Sequence, residues 1–116
     1  MDKTYTASGD LSACQFHIVQ LSAASTVALG GAGTQCRGVL KNKPLDGGQA
    51  SVVTLGETEV FVDATTAILI GDRIKSDASG HGVKAATTNE YVGTALEAKA
   101  SGTGTIIIDV NPSKLV

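Results

Sequence analysis

Apolar positions in this chain fall in short, β-branched runs bounded by Gly, Asp, Asn or Ser, a pattern that predicts strands almost everywhere and no long helix. Residues 15–21 carry Phe16 and Ile18 on one face and His17, Val19 and Leu21 on the other, as expected of a strand covered on both sides. Thr26–Leu29 is a short strand that runs into the loop Gly30-Gly31-Ala32-Gly33, where glycine tolerates positive φ. Residues 36–40 form the next strand, and Pro44 then blocks further pairing.

Asp46-Gly47-Gly48 is a turn into a strand over 50–55, and Gly56-Glu57 reads as a hairpin reversal into 58–63, with Val60 and Val62 opposite Phe61. Strands are expected over 67–70 and 73–75. Ser76-Asp77-Ala78-Ser79-Gly80 has the composition of a turn closed by a left-handed glycine, so 83–86 should return antiparallel. The helix-prone run from Ala95 to Ala100 lies between Val92-Gly93-Thr94 and Ser101-Gly102-Thr103-Gly104, which favours strand then turn over 91–98. A last strand covers 105–110, whose consecutive Ile106, Ile107 and Ile108 serve both a core and an interface. Residues 1–9 are polar and without period, which fits a flexible N-terminal arm, either frayed or laid across a partner, ahead of a single β-domain over 10–116.

At 116 residues the chain supports one core, burying roughly two-thirds of the surface exposed on unfolding. Its 42 % apolar content is Ala, Val, Leu and Ile, with Tyr5, Phe16, Phe61 and Tyr91 as the aromatics, which suits a thin β-core. The fold class expected is therefore all-β, a small turn-rich antiparallel barrel or sandwich. A net charge of −2 without charge blocks gives no footprint for nucleic acid. The sequence lacks an apolar leader and any run of the roughly twenty apolar residues that cross a bilayer, so the expectation is a soluble product made in the cytoplasm, with no membrane partner. Cys14 and Cys36 are read as small hydrophobes in a reducing compartment.

The motifs of catalysis and cofactor binding fail one by one. Gly30-Gly31-Ala32-Gly33-Thr34-Gln35 matches neither a dinucleotide nor a phosphate loop. Cys14 and His17, three apart, fall on opposite faces of a strand and make a poor nucleophile pair. A zinc site would need Cys14, Cys36, His17 and His81 to converge from unrelated elements. Asp72, Asp77, Ser79 and Gly80 lack the spacing of a calcium loop and read as a turn. Glu57 and Glu59 share one face of a strand, as a solvated edge does. The expectation is a protein without catalytic, metal or cofactor residues, and not an enzyme.

Turn-centred phrases carry a likeness instead. Gly9-Asp10-Leu11-Ser12 with Gln15, then Gly38-Val39-Leu40 with Asn42 and Pro44, then Gly71-Asp72 with Ser76-Asp77 and Gly80, then Gly93-Thr94-Ala95-Leu96-Glu97-Ala98, follow one another over most of the chain. In this order they resemble the capsid decoration, or cement, proteins of tailed bacteriophages. The resemblance implies a trimer on the outer surface of the mature head, with the major capsid protein and its own copies as partners and no cofactor. It also implies contact with the capsid through Lys3, Thr4, Tyr5, Gly30, Gly31 and Gly33, and a trimer interface at Ile106, Ile107 and Ile108. A head-fibre base or a host- or glycan-adhesion display module on the virion is the alternative.

Overall fold

The computed structural model describes residues 2–31, 37–85 and 91–111. Strands β1 (Asp2–Ala7), β2 (Ile18–Ala23), β3 (Thr26–Leu29), β4 (Gly38–Leu40) and β5 (Gln49–Val53) close into one barrel in the order β1-β3-β2-β4-β5. Strands β6 (Gly56–Ala64), β7 (Arg73–Ser76), β8 (Gly82–Lys84), β9 (Gly93–Ala95) and β10 (Gly102–Val110) close into a second, in the order β10-β6-β8-β7-β9. The described residues contain no helix, so the all-β expectation holds, in the form of two barrels. Closure pairs every strand on both sides, which satisfies the backbone of elements only three to nine residues long.

The two barrels are the same structure twice. Each joins its first strand parallel to its third and antiparallel to its fifth, and its second antiparallel to its third and fourth. The register agrees residue by residue: Val19 pairs with Gly38 and Leu29 in the first barrel, while Ile74 pairs with Gly93 and Lys84 in the second. The offset is 55 residues, as Gly93 is from Gly38, and becomes 56 in the closing strand. Loop hydrogen bonds repeat as well. Leu40 N–H donates to His17 O as Ala95 N–H does to Asp72 O, and Phe16 N–H donates to Leu40 O as Gly71 N–H does to Ala95 O. Asn42 Oδ1 accepts from Ser51 N–H where Glu97 Oε1 accepts from Ile107 N–H. The left-handed residues coincide: Phe16 (φ 67°) with Gly71 (φ 92°), and Ser25 (φ 56°) with Gly80 (φ 75°).

Each barrel has its own lining. Ala7, Val19, Leu40, Ala50 and Val52 fill the first, and their counterparts Val62, Ile74, Ala95, Ile106 and Ile108 fill the second. Volumes compensate: Leu40 with Ala50 in one barrel answers Ala95 with Ile106 in the other, which keeps a similar interior filled with different side chains. Full burial of each Val, Leu or Ile contributes about 1.5–3 kcal/mol.

The barrels are joined through a third row. Ile18, Val39 and Val53 lie side by side across β2, β4 and β5, are buried, and belong to the second barrel's cluster instead of the first's. Ile18 N–H donates to Gly80 O and Phe61 N–H to Phe16 O, which stitches the two bodies together. The equivalent row on the second barrel is Arg73, Thr94 and Asp109, paired in the same way but polar and solvent-facing. One surface thus packs barrel on barrel, while its copy ends the tandem, as a polar outer face caps any repeat.

Several expectations are corrected. The arm over 1–9 is instead β1, paired with β5 from Asp2 to Thr6 and with β3 at Thr6 and Ala7, because its alternation supplies Tyr5 and Ala7 to the first core. The hairpin about Gly56 does not form: β5 and β6 belong to different barrels, and Gly56 (φ 106°) redirects the chain between them. Residues 67–70 make only an isolated bridge, Ile68 to Lys99. Gly30 lacks positive φ; glycine is needed there because a Cβ would stand 2.9 Å from Ile18 O and from Ser76 Oγ at the joint between barrels. The reversal at 76–80, the antiparallel return in β8 and a strand followed by a turn within 91–98, here β9, are all found.

Candidate interaction surface

Side chains on the outward faces of these barrels are what a partner meets, and the expected contact residues are distributed unevenly among them. Lys3 and Thr4 are exposed on β1. Tyr5 is half-buried, its hydroxyl accepting a hydrogen bond from Arg37 Nε at 2.7 Å with the guanidinium 5.9 Å from the ring centre. That pairing fixes Tyr5 to the mouth of the first barrel, where the counterpart residues in the second are Val60 and Val92. Gly30 is buried and Gly31 half-buried, so Gly30 offers no contact; Gly33 lies outside the described residues.

Of the isoleucines expected at a trimer interface, Ile106 and Ile108 are turned into the second barrel's own core, 4 % and 0 % exposed. Strand alternation makes this unavoidable, since residues i and i+2 share a face. Ile107 alone faces outward. It sits opposite Glu59, with Leu96 N–H donating to its carbonyl. Leu69 and Ile70 are the most exposed apolar side chains on the neighbouring segment, at 60 % and 72 %. Their loop is pinned to β9 by Gly71 N–H donating to Ala95 O and Ala95 N–H donating to Asp72 O, and it is held in shape by Leu69 N–H donating to Asp72 Oδ2 at 2.8 Å. Ile70, Leu96 and Ile107 therefore ride on adjacent, hydrogen-bonded segments. Sequence reading named only Ile107 among them.

The same outer face is acidic. Glu57 is directly opposite Asp109 and Glu59 opposite Ile107, all exposed. Like charges across a strand pair are mutually unfavourable, so Glu57 and Asp109 disfavour one another in the isolated chain. The solvated position expected for Glu57 and Glu59 is found, although β6 is paired on both sides and is not an edge.

The residues considered for chemistry are brought together only in part. Cys14 packs against the first core, and burial, then the charge of Asp10, pushes its thiol pKa up, the reverse of an activated nucleophile. Asp10 is held below the usual carboxylate range by the Ser12 hydroxyl and backbone N–H. Asp77 Oδ1 accepts from the N–H groups of Ser79 and His81, as the turn reading requires. His17 stacks on Phe61 with rings 6° from parallel, and both meet His81 with centroids 4.9 Å apart. The two histidines thus converge at the joint between barrels, while Cys14 does not join them and Cys36 lies outside the described residues. Asp63, on β6, comes close to Asp77 and His81, a proximity that sequence spacing did not show.

Comparison with known proteins gives two findings. The family model described as phage cement protein matches residues 2–110. Among solved structures, the head fiber gp8.5 N base in bacteriophage phi29 superposes with a TM-score of 0.67 at 18 % identity, over 100 % of this chain and 98 % of that one. At such identity the likeness is one of fold. No curated protein matches the chain.

Proposed function

The chain belongs to the phage cement protein family, a structural component of the virion that decorates and stabilises the capsid, and we propose that it binds the outer surface of the mature head and bridges neighbouring copies of the major capsid protein. The observation that carries this reading is the family match over nearly the whole double barrel. The architecture suits the role: a body whose described strands are all paired on both sides and whose two cores interlock resists deformation, and a cement must transmit load instead of turning over a substrate. The role is not enzymatic and calls for no cofactor.

Binding the assembled lattice better than free subunits adds free energy to the assembled state by mass action. A trimer would amplify this, since after one protomer docks the others engage intramolecularly. We assign the trimer contact to Ile107 with Leu96 and Ile70, and the capsid contact to the exposed Lys3 and Thr4 on β1. Synthesis in the host cytoplasm precedes docking.

Light scattering on the purified protein, followed by cosedimentation with mature heads that lack it, tests the reading. The expected result is a trimer that saturates heads at a symmetric copy number and raises the temperature at which they release their contents. Failure to sediment with any mature head overturns it. The fold likeness to a head-fibre base favours a second reading, in which the double barrel anchors a fibre to the head. Saturable binding to heads that brings no gain in head stability would select that reading.

A further inference from the structure

Independently of capsid binding, we propose that Asp63, Asp77 and His81 form a binding site for a divalent transition-metal ion such as zinc. One ligand atom from each lies within 4.8 Å of the others, and all three residues are half-buried. They come from separate places in the second barrel: β6, the β7–β8 turn, and the residue preceding β8. One imidazole and two carboxylates are a donor set suited to zinc, cobalt or nickel, with water completing the shell.

The individual roles leave these donors available. Asp77 spends Oδ1 on the turn, but its Oδ2 points to His81 Nδ1 at 3.6 Å. The Asp63 carboxylate makes no hydrogen bond or ion pair among the described residues, an unusual state for a half-buried acid. Asp63 and Asp77 also line a cleft of about 370 Å³ that has room for an ion and its waters, with Thr65 as a further oxygen donor. Lys75 and Lys84 border the same cleft, and Lys84 is drawn toward Asp72 at 3.6 Å. Behind His81, the Phe61 and His17 rings fix the imidazole plane, the kind of outer support that orients a metal ligand.

The internal repeat serves as a control. The first barrel has Ser8, Ser22 and Thr26 at the corresponding positions, so the shared strand pairing demands neither an acid at 63 nor a histidine at 81, while Asp77 also caps its own turn. Two carboxylates and an imidazole occur together only in the second barrel, where their ligand atoms converge.

The test is a titration of the tag-free full chain with Zn²⁺ by calorimetry and with Co²⁺ by visible absorption, while histidine imidazole resonances are followed by NMR. Expected are one ion per chain, the visible bands of cobalt held by nitrogen and oxygen, a shift of the His81 ring signals, and release as pH falls and protons compete for the imidazole. Asp63→Asn and His81→Gln should each weaken binding by about tenfold or more. Asp63→Asn keeps size and lies on an outward position, so it decides the matter if His81→Gln fails to fold. Absence of binding at millimolar ion, or binding unchanged in Asp63→Asn, overturns the proposal.

Discussion

Gly38 and Gly93 occupy one position in two copies of the same barrel: each opens the fourth strand so close to the fifth that an added Cβ would stand 2.2 Å from Val53 O and 2.3 Å from Asp109 O. No side chain fits against a backbone carbonyl at that distance without moving a strand. Gly38→Ala and Gly93→Ala should each cost about 3 kcal/mol, seen as a lowered urea midpoint. Gly9→Ala, with open space around it but φ of 87°, should cost only about 1 kcal/mol. Equal tolerance at all three sites would mean that barrel closure is looser than described.

Because β1 is a barrel strand, removing residues 2–8 should abolish cooperative folding of the first barrel instead of trimming a dispensable arm. Circular dichroism and size exclusion of the truncated chain report this directly. Retention of a native melt would restore the arm reading. Capsid-binding tests of Lys3 and Thr4 should therefore use point substitutions such as Lys3→Glu, which leave the β1 backbone pairing intact.

Ile107 and Ile108 are neighbours with opposite surroundings, one facing out and one fully buried. Ile108→Asp places an unpaired charge in the second core and should unfold the protein, a loss of more than about 3 kcal/mol. Ile107→Asp should cost the isolated chain only about 1 kcal/mol, part of it from the charge set opposite Glu59. It should, however, dissociate the trimer, measured as a drop in mass by light scattering. A trimer unaffected by Ile107→Asp would place the contact elsewhere.

Burial raises the Cys14 thiol above its ordinary value of 9.0, and the neighbouring charge of Asp10 adds to this. A raised thiol pKa means that the folded state holds its proton more tightly than the unfolded chain. Its contribution to stability is complete below pH 9.0 and is lost as pH rises through the folded-state value. In a Cys36→Ser background, Cys14 should react with iodoacetamide several-fold more slowly in the folded protein than in urea, and a Cys14→Ala variant should lose less stability above pH 9.0 than its parent. Equal alkylation rates in the two states would contradict the placement of Cys14 against the first core.

Much of this architecture is written in the order of residues. Short β-branched runs between glycine-rich turns specify strands, the reversal closed by Gly80 specifies its own left-handed cap, and the absence of catalytic spacing directs attention to surfaces. These are local properties, settled by steric preference and alternation within a few residues. The duplication is not local. At the offset of 55, identical residue types in the described chain occur at Ala23 and Ala78, Gly38 and Gly93, and Gly47 and Gly102, too few to betray a repeat. Compensating pairs such as Leu40 with Ala50 and Ala95 with Ile106 preserve volume while erasing identity. For the same reason, which of Ile18 or Arg73 is covered, whether residues 2–7 wander or close a barrel, and whether Asp63 meets His81 were decided only by tertiary structure. Each depends on strands brought together across long stretches of chain, where packing energy, and not local preference, selects the neighbour.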